Sequence, residues 1–239
     1  MLYPERQQPF SMKIFENPPA NYRDVPFWAW NTAVTEEDID FCLSVLKEMG
    51  MGGGFIHSRT GLDIPYLGKR FMDLVAYAHK KAGKLGLKTW LYDEDRWPSG
   101  FAGGYVTSNQ AYRARYLVWT LKEYKEGEIP EESEKGSTAK AVRSSRRRLL
   151  GAYRVEAENG YLKGYERLGM EDGEATEDGL EKGRQSLVWR AYLEVCGDNP
   201  WFNNQSYVDT LNPEAVKAFI ESTYEPYRQL AGGEFGKEI

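Results

Sequence analysis

The sequence predicts an α/β fold: a partial (β/α)8 (TIM) barrel of about three βα units, with an antiparallel β insertion after the third strand. Three observations carry this expectation. Between Pro26 and Tyr92, short apolar runs alternate with amphipathic stretches of helical period, at the spacing of βα units and a parallel sheet. From about 114 to 196 the alternation stops, and strand-like runs are separated by polar, glycine-bearing linkers. After Asn212 the helical period returns. The expected organisation is residues 1–113 as the first part of the barrel and 114–199 as an inserted β-rich subdomain with flexible loops. Residues 200–239 then return to the barrel as a helix, and the chain ends before a fourth strand.

Each element has its own reason. Residues 1–24 are rich in proline and asparagine, and Pro18-Pro19 blocks helix, so an irregular lead-in is expected. Pro26–Asn31 (PFWAWN) reads as the first strand. Thr35 then caps a helix with Glu36, Glu37 and Asp38 in its first turn, where the helix dipole favours negative charge. Ile39, Cys42, Leu43, Leu46 and Met49 form its apolar stripe, and Gly50 ends it. Met51–His57 (MGGGFIH) is the second strand, followed by a polar loop from Ser58 to Asp63. Pro65 opens the second helix, with Phe71, Leu74, Val75, Ala78, Ala82 and Leu85 at helical spacing. Lys88–Tyr92 is the third strand. In the insertion, Tyr116–Tyr124, Leu149–Val155 and Leu187–Val195 read as strands, and 125–148 and 169–184 as flexible loops. Asn212 caps the last helix and Pro213 takes its first position. Its stripe is Val216, Phe219, Ile220, Thr223, Tyr227 and Leu230.

A barrel closes with eight units over ~250 residues. Three strands leave it unfinished, so the chain reads as the N-terminal portion of a longer protein rather than a small open sheet. The unfinished sheet edge invites self-association.

Composition narrows the function classes. Hydrophobic residues make up 41% and charged residues 28%, as in soluble globular proteins, whereas the aromatic share of 14% is high. A net charge of −5 argues against nucleic acid as the main partner. The basic run Arg143, Arg146, Arg147, Arg148 reads as part of a solvated loop. No apolar run is long enough to span a membrane. The N-terminus MLYPERQQPF lacks the layout of a signal peptide, so a cytoplasmic address is expected. Cys42 and Cys196 stand far apart without a zinc or disulfide pattern, and Cys42 is expected as a buried thiol. Neither a metal nor a cofactor is expected.

Ligands of barrels and open α/β sheets bind beyond the C-terminal ends of the strands. The three strand exits carry Trp28, Trp30 and Asn31; His57, Ser58 and Arg59; and Asp93, Glu94, Asp95, Arg96 and Trp97. Charges at the end of an apolar strand are costly unless they pair or serve a site. Aromatic rings beside carboxylates suit sugars, whose C–H faces stack on rings while their hydroxyls seek charged acceptors. A carbohydrate is therefore the expected partner of this rim. Side chains alternate along a strand, so Trp90, Tyr92 and Glu94 share one face and Leu91, Asp93 and Asp95 the other. That places Glu94 toward the mouth and makes it the best catalytic candidate. Arg96 pairs with Asp93 or Asp95. Glycoside hydrolysis needs two carboxyl groups about 5 to 9.5 Å apart across the scissile bond. Neighbouring acids on one strand do not supply both. Asp209 is the other rim acid to consider, although helix capping beside Asn212 suits it better.

The motifs PFWAWN (26–31), GMGGGFIHSRTGLDIPYL (50–67), WLYDEDRWPSGFAGG (90–104) and YVDTLNPEAV (207–216) resemble a bacterial glycoside hydrolase-like TIM-barrel family. It is related to the α-L-rhamnosidase family 106-like proteins. The resemblance covers roughly 15–113 and 200–239. It implies a further strand ending in an acidic motif, and a general acid and partner carboxylate beyond Ile239. The chain would then be the N-terminal segment of a hydrolase of plant or bacterial oligosaccharides, supplying substrate-binding residues and inactive alone. Two other classes stay open: a non-catalytic carbohydrate-binding module, and a sugar isomerase or epimerase with His57, Asp93 and Glu94 as metal ligands.

Overall fold

The computed structural model describes residues 9–130, 142–171, 174–175 and 187–232. It is a mixed α/β structure with a parallel sheet of three strands and a separate antiparallel sheet. The chain divides into two units, one running to Ala102 and resuming at Ile220, the other Gly103–Phe219.

In the first unit, α1 (Met12–Glu16) and a 3-10 turn at Ala20–Tyr22 precede the sheet. The lead-in is thus partly helical, because Ser11 caps α1 by accepting the Ile14 amide. Then come β1 (Phe27–Trp30), α2 (Glu36–Glu48), β2 (Gly53–Ser58), α3 (Lys69–Lys84) and β3 (Lys88–Leu91). The strands are parallel, in the order β1-β2-β3. Thr35 and Asp38 form a reciprocal capping box at α2. Cys42 is half-buried, and Met49 is exposed at the helix end, where the turn leaves the core. Helix α3 starts at Lys69 rather than Pro65, because Leu67 takes a left-handed φ of 57° and Gly68 forms the cap. Ile39 and Leu43 of α2 and Phe71, Leu74, Val75 and Ala78 of α3 close a core over Trp30 and Ile56.

The triple glycine beneath this core has a steric cause. A Cβ on Gly53 would stand 1.7 Å from the Lys88 carbonyl oxygen of β3, and one on Gly54 2.7 Å from the Trp28 ring. Strand pairing and indole packing both depend on their absence.

The second unit holds β4 (Arg115–Thr120), β5 (Arg147–Glu158), β6 (Tyr161–Arg167) and the two-residue strands β7 (Met170–Glu171) and β8 (Glu174–Ala175). With β9 (Leu187–Val195), the four longer strands form an antiparallel sheet in the order β4-β9-β5-β6. Strand β6 was not expected. Its cause is Asn159-Gly160, a two-residue turn with φ of 53° and 81°, the left-handed pair that twists hairpins correctly. The basic run is not a solvated loop either. Arg143 and Arg147 both bond the carboxylate of Glu194, which is buried in β9 and needs counter-charge. The remaining parts of the expected loops, 131–141, 172–173 and 176–184, lie outside the described residues. Helix α4 (Pro213–Leu230) begins at Asn212, whose side chain accepts the Glu214 amide. Thr223 and Tyr227 of its stripe are buried, whereas Val216 and Ile220 are exposed.

Among the described residues the three parallel strands do not close a barrel. No described helix is long and apolar enough to cross a membrane.

Candidate functional site

Parallel pairing brings the C-terminal ends of β1, β2 and β3 to one edge. Trp30 lies opposite Ser58 and Ile56 opposite Leu91, and the Tyr92 amide still donates to the Ile56 carbonyl. Alternation then sorts the side chains. Trp28, Trp30, Ile56 and Leu91 face the helices. Phe27, Phe55, His57 and Tyr92 stand on the other face in ring contact with one another. His57 stacks on Tyr92 with centroids 3.9 Å apart and planes 16° from parallel.

A lattice of acids and hydroxyls follows β3. Asp93 accepts from Ser99 at 2.5 Å and from the Tyr224 hydroxyl of α4 at 2.6 Å. Asp95 accepts from Ser58 of β2 at 2.7 Å, and the Arg96 guanidinium lies 3.8 Å from it. Trp97 is 55% exposed beside them. Arg59 lies over the Phe27 ring, 5.9 Å from its centre. Asn31 is exposed, and its carbonyl underlies the Gly61 turn.

Three expected site residues have other placements. Trp30 is 1% exposed and packs edge-on against Phe71 in the core. Trp28 is half-buried on the same helix-facing side, edge-on to Trp30. Glu94 does not look into an open mouth, because the strand ends at Leu91 and the alternation ends with it. It is fully buried, and its carboxylate accepts the backbone amides of Asp95, Gly100, Phe101 and Ala102 at 2.7–3.0 Å. Asp209 accepts the Leu211 amide in a turn of the other unit, leaving the cap of α4 to Asn212. His57, Asp93 and Glu94 do not converge as metal ligands. Among the described residues no group of three His, Cys, Asp or Glu side chains is placed to hold a metal ion.

The electrostatics favour hydrogen bonding. Burial pushes the His57 imidazole below its ordinary value. Arg59 adds to this, while the Ser58 carbonyl, Asp95 and Asp93 oppose it. A neutral ring whose Nδ1 meets the Ser58 carbonyl at 2.7 Å keeps its proton on that nitrogen and leaves Nε2 as an acceptor. The hydrogen bond to Asp93, then burial, raises the Tyr224 phenol to about 12, so it stays a donor. Tyr66 and Tyr227 are raised chiefly by burial. The rim thus offers carboxylate acceptors, two guanidinium donors and an exposed indole, with the His57 imidazole buried among them. Tyr92, Ser99 and Tyr224 were not foreseen as parts of it. The strand alternation placed Tyr92 on the right face, but no local pattern marks Tyr224, far along the chain.

No family model and no curated protein matches the chain. Among solved structures, a rhamnosidase from Novosphingobium sp. PP1Y is similar in fold, with a TM-score of 0.53 at 13% identity. The match covers 94% of this chain and 38% of that one, so the chain spans well under half of its neighbour's length, and the likeness is one of fold.

Proposed function

We propose that this chain forms the saccharide-binding wall of a glycoside hydrolase-like domain, the first part of a (β/α)8 barrel whose substrates are oligosaccharides carrying rhamnose. The observation that carries this reading is the acid and hydroxyl lattice of Asp93, Ser99, Tyr224, Ser58 and Asp95, set beside stacked His57 and Tyr92 at the C-terminal edge of three parallel strands. Fixed carboxylate acceptors with an adjacent exposed indole, Trp97, match the alternating polar and C–H surfaces of a sugar ring. Arg59 and Arg96 supply donors. The fold-level likeness to a rhamnosidase supports the same substrate class.

The wall binds without cutting. Glu94 is turned into the backbone, and Asp93 and Asp95 come from one loop, whereas hydrolysis needs carboxyl groups on both sides of the bond. This favours, for the 239-residue chain itself, the behaviour of a binding module. Calorimetric titration with L-rhamnose tests it, with D-glucose and D-galactose alongside. The expected result is saturable binding of L-rhamnose, weakened about tenfold or more by Trp97→Ala, with no release of nitrophenol from an aryl rhamnoside. Absence of binding to all three sugars would contradict the site, and aryl rhamnoside hydrolysis would contradict its lack of chemistry.

A further inference from the structure

The four-stranded sheet has two chemically different faces. One holds Glu194 with Arg143 and Arg147. The other carries a groove of about 510 Å³ lined by Trp119, Tyr153, Val155, Leu162, Tyr165 and Trp189. Register builds it. Tyr153 lies opposite Trp189 across β5 and β9, and Val155 opposite Tyr165 across β5 and β6, so the pleat sends these side chains to one side. Trp119 and Tyr153 have centroids 5.5 Å apart at 44°, and Tyr153 and Tyr165 6.2 Å apart at 68°. Trp119 is 50% exposed and Tyr165 68%.

Residues 131–141 and 176–186, the long linkers between these strands, contain a single large apolar residue, Leu180. Three occupants fit an aromatic sheet face, and charge separates the first from the others. A single-stranded nucleic acid stacks its bases on rings but needs cations for its phosphates. Among the described residues no lysine or arginine lines this groove, and the chain carries a net charge of −5. A second copy requires ~800 Å² from each partner, and the rings with Leu162 and nearby Leu117 and Leu187 expose roughly 600–700 Å², so sedimentation, not area, separates that occupant. A neutral saccharide requires neither. Its C–H faces stack on inclined rings, the tyrosine hydroxyls meet its own, and the volume falls among ligand sites of ~300–1,000 Å³.

We propose that this groove is a second carbohydrate site, which takes a segment of a neutral polysaccharide by ring stacking. It goes beyond the rim of the parallel sheet, and the two readings fail separately. The test is electrophoresis of the full chain through native gels containing hydroxyethylcellulose, arabinoxylan or arabinogalactan, with polygalacturonate as the charged comparison. At least one neutral polymer should retard the wild type. Trp119→Ala and Tyr165→Ala should each weaken that retardation at least tenfold, while Trp119→Phe keeps most of it. Both positions are half-exposed or more, so urea midpoints should confirm that the variants stay folded. The proposal is overturned if no neutral polymer retards the chain, if retardation survives both alanine variants, or if only Trp97→Ala abolishes it. Preference for polygalacturonate would overturn it too. So would a dimer in sedimentation that Trp119→Ala dissociates, which would give the face to a second copy.

Discussion

Glu94 is fully buried, and four backbone amides donate to its carboxyl group. It fixes the 95–102 loop from which Asp95, Arg96 and Trp97 project. Leaving buried amides without an acceptor costs roughly 1–3 kcal/mol for each group. Glu94→Gln keeps the shape but turns a donor toward one of those amides, so it should lower stability by about 2–4 kcal/mol. A urea midpoint equal to the wild type's would refute this structural role. His57 makes a second prediction. Burial lowers its folded pKa below the ordinary 6.5. Just below that value the unfolded chain binds more protons than the folded one, so stability rises with pH there. The contribution is complete above the unfolded pKa and falls as the pH drops beneath it. The urea midpoint should therefore decline from pH 7 to pH 5, and less so in His57→Phe. The residue types at the rim were legible in the sequence, whereas the pairing of Arg96 was left open between Asp93 and Asp95, and the structure has it with Asp95. Which acid becomes structural was not, because that depends on where the strand ends and on a turn that folds back six to eight residues later.

At the scale of elements, each fold prediction that held had a local cause. The Thr35 cap of α2, the βα spacing and the Asn212 cap are all written in neighbouring residues. Two of the misses, both in the antiparallel sheet, had separate sources. Asn159-Gly160 is a strong hairpin motif obscured by the charged residues around it, and the arginine run looked solvated because Glu194 lies some fifty positions away. Glu194 should dominate the stability of the antiparallel sheet. Removing one partner of a buried ion cluster costs ~3–5 kcal/mol, so Glu194→Ala, which strands Arg143 and Arg147, should lower the melting temperature sharply. Burial alone would raise its pKa, but the Arg143 bond, the Ser144 amide and Arg147 together pull it below the usual carboxylate value. Its contribution is thus present above about pH 4.5 and lost as the pH falls through the lower folded value. In the parallel sheet, Gly53→Ala should prevent β2 from pairing with β3, seen as lost amide protection across Gly53–Ser58 in hydrogen exchange.

Across the whole molecule, a parallel sheet gathers polar groups at one edge, where the proposed function places a sugar. Both the sheet and its rim follow from the order of βα units. The substrate class rests on the match between that rim and saccharide chemistry. The most direct test is the indole N–H spectrum of the ¹⁵N-labelled chain during titration with L-rhamnose. The account predicts that the Trp97 resonance moves progressively and saturates, while that of core Trp30 stays fixed. A Trp97 resonance that does not move at saturating sugar would contradict it.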